Sequence, residues 1–231
     1  MRLVSSISFV LLVCAASACA DKGDEGMFIL NNIAPPASTC VFTSDKAQPF
    51  IAAGAISYDS PSGYIFSPLI ESRITAVAAQ TAERTIHLEG ADVSLAVANG
   101  GASQKFTALF SGSVEPNGGT TSVTFELMSK SSILALGNAQ QNVEVVASVA
   151  IYGTLGGGRV DGEPFQYPIT IVGRGNGIVN VLGSCANMML PTPTQTGNVC
   201  NKFQDGAVDC CSCGDPSKPV CPPVLNAACP M

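Results

Sequence analysis

The chain has 231 residues and a formal net charge of −6, and its 12% of charged and 46% of apolar residues are typical of an ordered globular protein. An acidic chain with few basic residues has no electrostatic footprint for nucleic acid, so we expect no nucleic-acid partner. The abundance of small residues and valine, with no tryptophan, favours a β-rich exported domain over a helical one.

Residues 1–18 have the pattern of an export signal of the bacterial lipoprotein type. Arg2 precedes an apolar run over residues 3–13, and the small residues 15–18 stand directly before Cys19. We therefore predict cleavage before Cys19, which then carries the lipid. The apolar run is well short of the ~20 residues that a transmembrane helix needs. The predicted membrane attachment is thus the N-terminal lipid, at the outer membrane or the cell surface.

A second processing route stays open. Ala16 stands three positions before Cys19, where lipoprotein signals more often carry leucine. Ordinary signal peptidase would instead cut after Ala20 and secrete a soluble chain that begins at Asp21. Both routes leave eight cysteines available for pairing.

The rest of the chain divides into three predicted parts. Residues 19–37 begin with polar and acidic residues typical of a solvated tether, although the apolar patch at 27–30 is a candidate first strand. Residues 38–186 are predicted to form an all-β domain, an antiparallel β-sandwich of the immunoglobulin-like kind. Residues 187–231 are predicted to form a small tail, rich in proline and cysteine and held by disulfides.

The β prediction comes from alternating apolar and polar residues. This pattern marks strands at 92–97, 122–127 and 143–154, and a returning strand at 165–171 completes the clearest hairpin. Turn signals stand at 60–63, 99–101 and 117–119, and only 130–139 has the pattern of a helix. We expect seven to nine antiparallel strands with one short helix. The expected buried residues are Val93, Val123, Phe125, Val145, Val149 and Ile151.

The tail holds six cysteines within residues 200–229. Zinc ribbons use two Cys-x2-Cys knuckles, whereas this sequence has that spacing only once, from Cys210 to Cys213. Exported thiols also meet an oxidising compartment, so we predict disulfides rather than a metal site. We expect the six to pair among themselves as a separable knot, with adjacent Cys210 and Cys211 taking different partners. Cys40 and Cys185 would then pair across the body. The predicted disulfide cysteines are Cys40, Cys185, Cys200, Cys210, Cys211, Cys213, Cys221 and Cys229.

The signal, the β-rich body with its stretch at 163–171, and the tail motif at 204–211 together resemble a set of uncharacterised predicted lipoproteins of myxobacteria. The likeness spans most of the mature chain. It implies localisation in the cell envelope and brings no activity with it.

No residue of the sequence is predicted to be catalytic, cofactor-binding or metal-ligating. His87 is the only histidine and lies on the outward face of an alternating stretch, where a solvated role is expected. No Gly-x-Ser-x-Gly elbow supplies a serine nucleophile, and the glycine clusters at 156–158 and 173–177 lack the context of a phosphate loop, so they are interpreted as turns. Asp205 and Asp209, with the acidic residues at 21–25, are interpreted as solvated charges.

These observations favour a lipid-anchored, non-catalytic binding or structural module, with an envelope protein or a glycan as its partner. The alternative is a glycosidase-like envelope hydrolase, in which two converging carboxylates would act as acid and base. Its candidate carboxylates are Glu71, Glu89, Asp92, Glu115 and Glu126.

Overall fold

The computed structural model describes residues 26–36, 39–185, 194–214 and 219–221. The signal peptide, Cys19 and Cys229 lie outside these residues. The described chain is nearly all β, as predicted, with fifteen strands, one α-helix and two short 3-10 helices. Within it, no helix has the length and apolar character needed to cross a membrane.

The larger sheet has β10 at its centre. Its strand order is β3-β12-β10-β6-β7, with β11 also paired to β10. The bounds of its strands are β3 (Gly54–Ser57), β6 (Ile86–Val97), β7 (Ser103–Val114), β10 (Val143–Leu155), β11 (Gly158–Asp161) and β12 (Phe165–Val172). The neighbours of β10 run antiparallel to it, whereas β3 runs parallel to β12. The alternating pattern of β10 puts its apolar residues on the core side.

The opposing layer consists of a four-stranded sheet of order β2-β1-β5-β8 and the separate pair β4-β9. Their bounds are β1 (Met27–Ile33), β2 (Phe50–Ile51), β4 (Tyr64–Phe66), β5 (Pro68–Ser72), β8 (Thr120–Ser122) and β9 (Phe125–Met128). One apolar cluster joins residues of both layers, so the body is a β-sandwich. Phe66 lies within this cluster, 5.6 Å from Phe125 and 5.1 Å from Tyr167 between ring centroids.

The sequence periodicity locates most of the body correctly. All six residues expected to be buried are buried, and His87 is exposed. The predicted hairpin is confirmed, with Gly156 and Gly157 at φ of +57° and +84°, which glycine adopts without steric cost. The returning strand predicted at 165–171 is β12, and the segment before it contains the additional short strand β11. The helix, α1 (Lys130–Leu136), is shorter than expected because Gly137 ends it.

Two predictions about the body are wrong. There are more strands than the seven to nine expected, because several irregular segments form additional short strands. The strands are also not all antiparallel, since two of the strand pairs are parallel. The tether does not extend to residue 37, because β1 (Met27–Ile33) pairs with β5 and buries Met27 completely. The candidate first strand at 27–30 is therefore confirmed.

The strands β14 and β15 of the tail form a three-stranded sheet with β13, the last strand before the tail, in the order β13-β14-β15. Its strands are β13 (Val179–Ser184), β14 (Val208–Ser212) and β15 (Pro219–Val220). Because β13 and β14 run parallel and side by side, Cys185 at the end of β13 reaches Cys211 rather than Cys40.

Three disulfides join described residues: Cys40 with Cys200, Cys185 with Cys211 and Cys210 with Cys221. Cys213 is also disulfide-bonded. The expected pairing of Cys40 with Cys185 is wrong, and so is the expectation that the tail cysteines pair only among themselves. Cys210 and Cys211 do take different partners, as predicted.

Of the three disulfides between described residues, the one between Cys40 and Cys200 closes the longest loop. Its cysteines are 160 residues apart, against 11 for Cys210 and Cys221. Chain-entropy reasoning assigns about 5 kcal/mol to a loop of the first length and about 3 kcal/mol to one of the second. The largest single contribution among these three disulfides therefore comes from a bond between body and tail.

Candidate functional site

A groove of about 720 Å³ lies between the tail and one edge of the sandwich. One wall comes from the segment that follows β1 and from β2, and the other comes from the loop before β14. The lining residues used below are Pro35, Ile51, Gln195, Asn198, Val199 and Asp205. The disulfide between Cys40 and Cys200 joins the chain segments of the two walls.

The wall of the groove is connected to the core by Asp205. Its Oδ1 accepts a hydrogen bond of 2.7 Å from the backbone N–H of Ala55, and its Oδ2 accepts one of 2.8 Å from the hydroxyl of Tyr64. Its own backbone N–H donates to the carbonyl of Ala55. Asp205 has a φ of +52°, a left-handed conformation that aspartate and asparagine tolerate better than most residues.

The hydrogen bonds continue into the sandwich. The hydroxyls of Tyr64 and Tyr167 are 2.8 Å apart, and the amide of Asn32 donates to the hydroxyl of Tyr167 at 2.9 Å. All three residues are buried. We call Asn32, Tyr64, Tyr167 and Asp205 the polar cluster. It connects β1, β4 and β12 to the tail.

Neighbouring residues of the tail pair with the body backbone in the manner of a short strand. The side chain of Gln204 donates to the carbonyl of Ile65 and accepts from its N–H, both at 2.8 Å. Asn201 donates to the carbonyl of Gly63, and the N–H of Ser57 donates to the carbonyl of Phe203. These contacts satisfy backbone groups of β3 and β4 that would otherwise be left without partners.

Burial determines the electrostatics of the polar cluster. It raises the pKa of Tyr64 well above its usual value, with a further contribution from the charge of Asp205, and it raises the pKa of Tyr167 to about 12. Burial also raises the pKa of the Asp205 carboxyl, although its hydrogen bonds from Ala55, Gln204 and Tyr64 oppose this. The two tyrosines therefore remain protonated near neutral pH, which suits hydrogen-bond donors and not a catalytic base.

Asp209 fixes the other part of the groove wall. It is buried, and its carboxylate accepts hydrogen bonds from the side chain of Asn180 and from the backbone N–H groups of Thr194 and Gln195. The hydrogen bond from Asn180 is the main cause that lowers the pKa of Asp209. The interpretation of Asp205 and Asp209 as solvated charges is therefore wrong.

Three of the five candidate carboxylates of the hydrolase alternative have separate partners. Glu71 pairs with Lys46, Asp92 pairs with Arg159, and Glu115 accepts a hydrogen bond from Thr85. None of the five lines the groove. In the described ranges, no three metal-ligating side chains are grouped where they could hold an ion.

The glycine clusters lie in turns. Gly156 and Gly157 connect β10 to β11, which begins at Gly158. Residues 173–177 follow β12, and there Arg174 forms an ion pair with Asp59. Comparison of the chain with protein-family models, with curated proteins and with solved structures found no match.

We predict that Tyr64→Phe and Asp205→Asn each lower the free energy of unfolding by about 1–3 kcal/mol, because each removes the hydrogen bond between Tyr64 and Asp205 from surroundings that largely exclude water. Asparagine retains the tolerance for the left-handed backbone. Denaturant unfolding of the oxidised protein measures both losses. The double variant should lose less than the sum of the two, because the two residues share one hydrogen bond. Exposed Asp161→Asn is the control, and additive losses would contradict the coupling.

The pH dependence of Asp205→Asn has a definite sign. A carboxyl whose pKa is raised from 3.8 on folding contributes stability at pH below that value, and loses it as the pH rises through the folded pKa. The stability difference between wild type and Asp205→Asn should therefore shrink as the pH rises from about 4. The lowered pKa of Asp209 gives stability the opposite dependence on pH, but Asp209 is present in both proteins, so its contribution cancels in the difference. A difference that grows with pH would contradict this assignment.

Proposed function

We propose that this chain is an exported, lipid-anchored protein of a bacterial cell envelope, held at the outer membrane or cell surface through Cys19, and that it acts as a non-catalytic binding module. The observation that carries the proposal is the state of the cysteines. Seven cysteines of the described ranges are disulfide-bonded, which is typical of proteins that fold in an oxidising compartment. The signal pattern at residues 1–19 supports the same location.

The groove is the proposed binding surface. Its walls have apolar surface from Pro35, Ile51 and Val199. They also carry the side-chain amide groups of Gln195 and Asn198. This mixture suits an extended protein segment or a glycan, both of which present apolar faces beside hydrogen-bonding groups. The polar cluster supports a binding role over a catalytic one, because its side chains bond to one another and hold the wall in place.

A preformed groove favours binding for a physical reason. The disulfide between Cys40 and Cys200 and the carboxylates of Asp205 and Asp209 fix its walls before any ligand arrives. Binding then carries little free-energy cost for ordering the loop, and this raises the affinity for a given contact area.

The anchoring is tested with Cys19→Ser. Two or three acyl chains at ~0.8 kcal/mol per buried methylene make membrane attachment stable, so wild type should partition into the detergent phase and Cys19→Ser should not. Cys14→Ser is the matched control, because residue 14 lies in the segment that is predicted to be removed. Recovery of a soluble wild-type chain that begins at Asp21 would contradict the lipid anchor.

The groove is tested by capture from cell envelopes with Val199→Arg. Val199 is 45% exposed and lines the groove, whereas Val181 is 40% exposed on β13 and does not line it. A partner of the groove should be retained by wild type and by Val181→Arg, and lost with Val199→Arg. Protease or periodate treatment of the envelopes distinguishes a protein from a glycan. Equal retention by all three proteins would contradict the proposed surface.

A further inference from the structure

The disulfide between Cys40 and Cys200 is the most accessible of the three that join described residues. Cys40 is exposed and Cys200 is half-buried. Each of the other two bonds has a completely buried partner, Cys210 in one and Cys211 in the other. A thiolate must reach a sulfur atom to break a disulfide, so exposed disulfides are the ones that are reduced most readily.

The chain around Cys40 is held in place mainly by this bond. Residues 39–43 belong to no helix or strand, and within the described ranges they form no hydrogen bond or ion pair. Phe42 is half-buried between exposed neighbours. The first hydrogen bond after Cys40 is the one that the carbonyl of Ser44 accepts from Thr120. Breaking the disulfide would therefore free the segment 39–43.

The tail side of the bond is held independently of it. Asn201, Gln204 and Asp205 each form a hydrogen bond with the backbone of the body. The tail loop therefore stays docked when the disulfide is broken, while the segment that carries Cys40 moves away. The low effective concentration of Cys40 beside Cys200 then opposes re-formation of the bond.

We propose that the disulfide between Cys40 and Cys200 is a redox-sensitive latch, which an external dithiol opens before the other two bonds. The thiolate of the dithiol attacks the Sγ of Cys40, the S–S bond breaks, and Cys200 leaves as a thiolate that takes up a proton. The second thiolate of the dithiol then attacks the sulfur of the first in the mixed disulfide. Cys40 leaves as a thiol and the reductant becomes a disulfide, so two electrons pass to the latch.

The consequence for binding rests on the proposed function of the groove. Pro35 and Pro36 line the groove a few residues before Cys40, and Val199 lines it directly before Cys200. The latch thus holds the two walls at a fixed separation in the oxidised protein, and this preorganisation is lost on reduction. Opening of the latch should therefore weaken binding in the groove.

The order of reduction is measured on the oxidised protein with dithiothreitol, followed by rapid alkylation of the released thiols and peptide mass spectrometry. Cys40 and Cys200 should be alkylated roughly tenfold faster than the cysteines of the other two bonds. Simultaneous reduction of the three bonds, or earlier reduction of either of the others, would overturn the proposal.

Release of the segment 39–43 is measured by chymotrypsin cleavage after Phe42. Cleavage should be roughly tenfold faster in selectively reduced wild type and in the double variant Cys40→Ser/Cys200→Ser than in oxidised wild type. Val41→Ser, which alters the same segment but keeps the bond, is the matched control and should cleave like oxidised wild type. Equal cleavage in all four proteins would contradict the latch.

Hydrogen exchange shows whether the tail stays docked when the latch opens. The amides of Ser57 and Asp205, which bond across the contact between body and tail, should keep their protection in selectively reduced wild type. Loss of their protection would overturn the proposal, because the tail would then detach together with the segment.

Capture from cell envelopes links the latch to the groove. A partner that oxidised wild type retains and Val199→Arg loses should be retained less by the double variant, and equal retention would overturn the control of binding by the latch. If oxidised wild type itself retains no partner, the proposed function is contradicted and the link to binding fails with it. The alkylation and cleavage measurements decide the existence of the latch in either case.

Discussion

The half-buried carboxylate of Asp205 forms the hydrogen bonds on which the union of body and tail depends. Removing a carboxylate from water is costly unless its oxygens are hydrogen-bonded. Oδ1 of Asp205 accepts a hydrogen bond from the backbone of Ala55, and Oδ2 accepts one each from Tyr64 and Gln204. The same residue lines the groove. A surface loop is thus held at a defined position against a hydrophobic core that it does not belong to.

The hydrogen bond between Tyr64 and Asp205 restricts which residues can stand next to it in the structure. A Cβ added at Gly54 would lie 2.5 Å from the hydroxyl of Tyr64, so glycine at that position lets Tyr64 reach Asp205. The side chains of Gln204 and Asn201 form hydrogen bonds with the backbone of β4 and of the residue before it. The disulfide between Cys40 and Cys200 restrains the same loop. The loop before β14 is therefore held both by hydrogen bonds and by a disulfide, and together they determine the shape of the groove wall.

The sequence predicts the sandwich well where burial leaves a local pattern. β6, β10 and β12 are found because each alternates apolar and polar residues along its length. The docking of the tail leaves no such pattern, since the burial of Asp205 depends on Tyr64, which is 141 positions away. The disulfides are missed for a similar reason. The pairing of Cys185 with Cys211 follows from the parallel contact of β13 with β14, which only the complete topology determines.

Native-state hydrogen exchange of the oxidised protein tests the central claim most directly. The amide of Asp205 donates to Ala55, and the amide of Ser57 donates to Phe203, so both report on the contact between body and tail. If tail and body form one cooperative unit, these amides open with the same free energy as the amides of β10. Exchange of both at a much lower opening free energy, while β10 stays protected, would show that the tail detaches independently and would contradict the account.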